Sequence, residues 1–255
     1  MSTPMTLFRS SLLLVAWTLL STAACCQESA LPHFVLSEGL EVRQIAPHTY
    51  LHVSASEIPP FGLVFSNGLL YVVDGEALLF DTPTSDSATA ELVRWVTGTL
   101  HARIVGFVPN HWHNDCMGGL AYLHRSGIHS SANELTRRIA SSRGLPVPLQ
   151  GFTDSLALRC GNETVSCRYF GAGHTPDNIV VWLPREKILF AGCMAKEIAA
   201  RSLGNTADAD LAAWPGTLRR VLAAFPGARI VVPGHGRPGG IDVLQHTLEL
   251  LSARN

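Results

Sequence analysis

The segment Asn110-His111-Trp112-His113-Asn114-Asp115-Cys116 sets two imidazoles and a carboxylate at alternate positions of one short stretch. Imidazole and carboxylate are natural ligands for zinc. The stretch Arg103 to Val108 just before it reads as a buried strand ending at Pro109-Asn110. On a turn leaving a strand, alternate side chains can converge on one point while those between them point away. A lone histidine on an apolar face is ordinarily a satisfied core residue. Two with an aspartate at this spacing suit a metal.

Further segments repeat the arrangement. Gly171-Ala-Gly-His174-Thr-Pro-Asp-Asn178 puts a histidine on a glycine-rich loop between strands. Cys193 follows the apolar strand Ile188 to Phe190 through Ala191-Gly192, and His235 follows another strand through Pro233-Gly234. Singly, Cys193 reads as an inert buried thiol and His235 as a turn residue. Together the segments share one pattern: an apolar strand, small residues, then a metal-capable side chain. Ligands at strand ends gather along one edge of a layered fold.

The elements that must position them follow from periodicity and turn chemistry. Strands are expected at Leu40 to Ile45, Thr49 to Ser54, Gly62 to Phe65, Leu69 to Asp74 and Glu76 to Asp81. Asn67-Gly68 and Asp74-Gly75 signal hairpins between them. A helix over Ser87 to Leu100 has Leu92, Val93, Val96 and Leu100 at helical spacing. Helical segments follow at Gly118 to Ser126 and Ala132 to Arg143. The second half repeats the plan, with hairpins from Leu156 to Phe170 and from Asn178 to Phe190. A helix is expected at about Asp208 to Phe225, with Pro215 tolerable only in a first turn or at a break. A strand over Ala228 to Val232 and a helix over Gly240 to Ser252 close the chain. The expected class is α/β, one domain with two packed sheets and helices outside, a four-layer αββα sandwich.

The chain has 255 residues, 47% hydrophobic and 15% charged, so it can bury a substantial core. A net charge of -1 without a basic run gives no footprint for nucleic acid. Arg9, the apolar run Leu12 to Leu20 and the small residues Ser21 to Ala24 have the layout of a secretory signal. The run is too short for a membrane span, which needs roughly 20 residues. Residues 1–24 are therefore expected to be removed and residues 25–255 to form a catalytic domain exported to a bacterial periplasm. Cys25 and Cys26 stand where a lipoprotein keeps an acylated cysteine, but the usual upstream aliphatic residue is missing, which favours simple cleavage. No oligomerisation signal is seen, and a monomer is expected. In a hairpin turning at Gly161 to Thr164, Cys160 would face Val165 and Cys167 would face Leu158, a poor geometry for a disulfide.

These motifs resemble the metallo-β-lactamases, specifically the di-zinc subclass with a cysteine ligand. The likeness runs from about Glu41 to Leu250. It implies one zinc site of His111, His113 and His174 and a second of Asp115, Cys193 and His235, two zinc ions per subunit. It implies that Lys196 pairs with a substrate carboxylate and that Asn205 hydrogen-bonds the lactam carbonyl. Asp115 would ligate and also orient the attacking hydroxide. Glu57 to Gly62 matches a mobile flap, with Ile58, Pro59 and Phe61 closing over an apolar substrate face. The implied substrate is a small β-lactam: a penicillin, a cephalosporin or a carbapenem. Asp81 is a candidate partner behind the ligands. Many members carry arginine where this chain has Cys116, and a neutral buried thiol is expected there.

Two other readings compete. Hydrolases of the same fold acting on thioesters, lactones or phosphodiesters resemble His-x-His-x-Asp-His with a bridging carboxylate. Here Cys116 replaces the last histidine and Cys193 the bridging aspartate. A zinc-binding protein without catalysis is the second, and Lys196 and Asn205 argue against it.

Overall fold

The structure is a computed structural model that describes residues 31–253 together with Met1. The expected export signal, apart from Met1, and Cys25 and Cys26 lie outside the described residues. No helix among those described is long and apolar enough to cross a membrane.

A six-stranded sheet forms first, from β1 (His33–Ser37), β2 (Leu40–Ala46), β3 (Thr49–Ile58), β4 (Gly62–Val73), β5 (Glu76–Phe80) and β6 (Arg103–Val108), in sequence order. Its members pair antiparallel except β5 with β6, which run parallel because helix α1 (Asp86–Thr99) crosses over between them. Ser85 caps α1, its hydroxyl accepting from the amide of Ala88 at 3.2 Å. The short helices α2 (Asn114–Met117) and α3 (Leu120–Arg125) follow, then a parallel pair, β7 (Ser131–Asn133) and β8 (Gln150–Phe152), flanking α4 (Glu134–Ser142).

The second sheet has the order β13-β12-β11-β10-β9, from β9 (Ser155–Cys160), β10 (Glu163–Tyr169), β11 (Ile179–Leu183), β12 (Ile188–Gly192) and β13 (Ile230–Pro233). It too ends in a parallel pair, β12 with β13, joined across α5 (Trp214–Ala224), before the last helix α6 (Asp242–Ser252). Leu51, Leu69, Phe80 and Val108 of the first sheet meet Val165, Val181 and Phe190 of the second in the central core. Leu70 and Leu79 pack outward with Leu92, Val96 and Leu120. Val180, Leu189 and Val231 pack outward with Trp214, Leu218, Val243 and Leu244. The layers are therefore helix, sheet, sheet, helix, as expected.

Four local expectations are corrected. Asn67-Gly68 is no turn: it lies inside β4, where Gly68 pairs with His52. A Cβ on Gly68 would lie 2.2 Å from Nε2 of His52, so the glycine admits the buried imidazole. The β9–β10 turn is two residues long, so Cys160 faces Glu163 and Cys167 faces Leu156; both thiols are free. Helix α4 starts at Glu134, capped by Asn133, because Ser131–Asn133 pairs with β8. Helix α5 starts at Trp214, with Pro215 in its first turn, where the missing amide costs no bond.

Candidate metal centre

Both parallel pairs deliver their C-terminal ends to one edge of the sandwich. The loop after β6 is held there by Asn110, fully buried. Its amide donates to Oδ1 of Asp81 at 2.5 Å, and its side-chain amide donates to the carbonyl of Ile179 at 2.6 Å. Gly192, at the end of β12, has φ +56°, and a Cβ there would lie 2.4 Å from the Asn110 side chain. The loop after β6 and the ends of β11 and β12 thus dock only because that position is glycine.

From this anchor the chain presents His111 and His113 and enters α2, whose first turn carries Asp115. Nε2 of His111 lies 2.9 Å from Nδ1 of His113. The His174 ring stands 4.9 Å from His111 and 5.2 Å from His113, nearly perpendicular to both. Beside this cluster, Sγ of Cys193 lies 3.4 Å from Asp115 and 3.3 Å from Nε2 of His235, which is itself 3.3 Å from Asp115. The six side chains anticipated from sequence thus come together. Ligand atoms of Asp115, Cys193 and His235 all lie within 4.8 Å of one another, as do those of His111, His113 and Asp115 and of His111, His174 and Cys193.

The donor chemistry fits metal ions. Nδ1 of His174 is buried with no hydrogen-bond partner, and a thiol, a carboxylate and four imidazoles face one another at the floor of a cleft. Burial, then the nearby His113, hold His111 down to about 3. Burial and His111 keep His174 well below the ordinary histidine value. The second trio behaves oppositely. Burial, with Asp115 beside it, pushes the Cys193 thiol up. Burial alone would lower His235, but Cys193 and Asp115 hold it well above its usual value. Asp115 stays well below the carboxylate range: burial pushes it up, but its bond to His235 and the neighbouring imidazoles outweigh that.

Behind the ligands lie groups that orient them. Nδ1 of His235 is 2.9 Å from the carbonyl of Phe65 on β4, which directs Nε2 to the site. The flanking loop is tied to β4 by Asn67, whose side-chain amide donates to the carbonyls of Pro233 and Gly236, each at 2.8 Å. Cys116 is 2% exposed, and its Sγ lies 3.2 Å from Nδ1 of His111, on the far side of the ring from the cluster. Burial and the charge of Asp81 push this thiol up, so it is the neutral thiol expected. Asp81, anticipated as a partner, holds Asn110 and hydrogen-bonds Cys116, with its backbone at φ +60°. Asp208 was not anticipated: its Oδ2 is 2.9 Å from Nε2 of His113. Lying 95 residues beyond its partner, it gives no spacing signal.

A cleft of about 590 Å³ opens over the cluster, lined by Ile58, Phe61, Val64, Lys196 and Asn205 among others. Lys196 is no solvated surface lysine. It is 9% exposed, its amide donates to Thr247 and its ammonium lies 5.7 Å from the Trp214 ring. Burial lowers its pKa, opposed by Cys193 and Asp115. Oδ1 of Asn205 accepts from the amide of Ala207 at 3.1 Å, so its NH2 is the end left to donate to a ligand. β3 and β4 extend to Ile58 and from Gly62, and the tip between them carries Phe61, 53% exposed.

No family model matches the chain. A curated relative from Bacteroides fragilis, metallo-beta-lactamase type 2, is 49% identical over 217 residues, 85% of this chain and 87% of the relative. The chain belongs to the metallo-β-lactamase family. A Bacillus cereus protein of the same name is 37% identical, covering 80% of this chain and 78% of its own. The solved metallo-beta-lactamase from Pontibacter korlensis superposes with a TM-score of 0.81 at 38% identity, covering 84% of this chain and 99% of that one. This metallo-β-lactamase is accordingly a hydrolase with a metal cofactor, and its αββα layers are those of the family.

Proposed function

We propose that the protein is a di-zinc β-lactamase that opens penicillins, cephalosporins and carbapenems and so confers antibiotic resistance. The observation that carries this reading is the juxtaposition of the Asp115–Cys193–His235 trio with the three histidines on the floor of one cleft. In this assignment His111, His113 and His174 hold one zinc, and Asp115, Cys193 and His235 hold the other. Bound zinc lowers the pKa of water into the neutral range and polarises a carbonyl oxygen.

The chain's own groups supply the rest. Lys196 binds the substrate carboxylate, a charge-assisted contact strengthened because the ammonium is mostly buried. Asn205 donates from its side-chain NH2 to the lactam carbonyl as negative charge develops there. The Asp115 carboxylate, held ionised, orients the attacking water by accepting a hydrogen bond. Ile58 and Phe61 cover the apolar face of the substrate and exclude solvent. With recognition resting on these few contacts and on the metals, a broad β-lactam range is expected.

We further propose export to the periplasm after removal of residues 1–24, and action as a monomer. Purified protein supplied with zinc should open a chromogenic cephalosporin, and a chelator should stop it. Metal analysis should find two zinc ions per chain. If turnover survives exhaustive chelation, the reading fails.

A further inference from the structure

Four side chains, His113 among them, close a ring. Nε2 of His113 is 2.9 Å from Oδ2 of Asp208. Oδ1 of Asp208 is 3.5 Å from the guanidinium of Arg143. Arg143 stacks on Trp112, its Cζ 3.9 Å from the ring centroid. Trp112 returns to His113 edge-on, with ring centroids 4.4 Å apart and planes at 71°. We propose that Arg143 is a positioning residue for His113, acting through Asp208 on one side and Trp112 on the other. The proposal rests on the reading of His113 as a metal ligand.

The coupling acts through the tautomer of His113. A carboxylate accepts only, so the Asp208 contact requires the proton on Nε2 of His113. Nδ1 is then the free nitrogen, and it is Nδ1 that faces Nε2 of His111. That arrangement depends on where Asp208 sits. Asp208 belongs to a segment outside the helices and strands, and the charged side chain in contact with its other oxygen is Arg143. Arg143 is itself well placed. It is the C-terminal cap of α4, its amide bonded to Ile139 and Ala140, and a cation at a helix C-terminus is favoured. A planar guanidinium can lie on an indole face and meet a carboxylate at its edge in one conformation; a lysine ammonium cannot do both. As an ion pair alone the contact would count for little, since the two side chains are 50% and 30% exposed. Its effect is geometric, because both arms of the ring end on the same imidazole.

The test uses zinc-loaded full-length enzyme labelled with 15N-histidine, read by long-range 1H–15N correlation spectra beside steady-state kinetics and thermal melting. In the wild type, the His113 spin system should show a protonated, exchange-protected Nε2 and a zinc-shifted Nδ1. In Arg143→Ala, exchange of that proton should speed up and kcat should fall about tenfold, the lower end for losing a group behind a metal ligand. KM and Tm should stay near wild type. Arg143→Lys should keep less than half of the lost kcat, since charge without stacking restores only one arm. Arg143→Ala added to Asp208→Asn should cost only about threefold beyond Asp208→Asn alone, because the Trp112 arm is all that is left to lose. A wild-type His113 signal and kcat in Arg143→Ala, or fully multiplying effects in the double variant, would overturn the proposal. A wild-type protein in which zinc shifts none of the His111, His113 and His174 nitrogens would overturn the ligand reading itself, a result separable from any effect of Arg143.

Discussion

The two ligand clusters lie in contact yet are built in opposite ways. His111 and His113 come from one loop, His174 joins from the β10–β11 loop, and the structure keeps His111 and His174 neutral by burial. Asp115, Cys193 and His235 come from α2 and the ends of β12 and β13, and they bond to one another. Without a metal, Cys193 and His235 both hold protons at neutral pH. His111 and His174 are therefore ready for a cation, whereas Cys193 and His235 must release protons before they can bind one. Adjacent sites on one edge thus need not fill under the same conditions.

The largest expected effect comes from removing a ligand that touches both clusters. His111 falls in ligand groups with both Cys193 and Asp115, so His111→Ala should abolish zinc-dependent turnover and lower metal content at both sites, measured by metal analysis. Cys193→Ser should be more selective, emptying the second site while the three-histidine site retains zinc. Equal loss from both sites would mean that the two clusters do not bind metal separately.

The two clusters should also respond differently to pH. Zinc affinity at the second site should rise with pH by up to about a hundredfold per unit, two protons being released, while Cys193 and His235 remain protonated in the metal-free protein. The contribution of His111 to first-site affinity should be flat through neutral pH, because its pKa of about 3 leaves no proton to displace. Competitive chelator titrations across pH measure both slopes, and parallel slopes would contradict the comparison.

A smaller effect concerns stability away from the site. His52 is fully buried, and burial lowers it to about 4 against an unfolded value of 6.5. Its folded pKa is depressed, so the unfolded chain takes up the proton first as pH falls. Its contribution is complete above pH 6.5 and is lost between 6.5 and about 4, about 3 kcal/mol in all. Denaturant titrations of metal-free wild type and His52→Gln should show this, with the variant lacking the acid loss in that window. Last, Lys196→Ala should raise KM for a carboxylate-bearing substrate by about tenfold, as expected for one charge-assisted hydrogen bond. Phe61→Ala should change KM only a few-fold, because that ring stands half in solvent. A larger effect from Phe61 than from Lys196 would move recognition from the buried cation to the flap.

Residue types and their spacing were enough to name the side chains that could be ligands and the layered class that would hold them. The reason is chemical: few side chains bind metals, and each stood directly after an apolar strand or in a glycine-rich loop, so short-range order sufficed for His111, His174, Cys193 and His235. Strand β6 and helix α1 were legible because their hydrophobic periodicity agrees with their burial. Asn67-Gly68 misled, since a pair that favours a turn locally was overruled by the buried imidazole of His52. Which groups stand behind the ligands was set by the folded layers. Asp208 and Arg143 lie far from His113 in sequence, and Asn67 reaches residues 166 and 169 positions away. Such contacts have no period and no local signature. They exist because the folded layers bring unrelated loops to one edge.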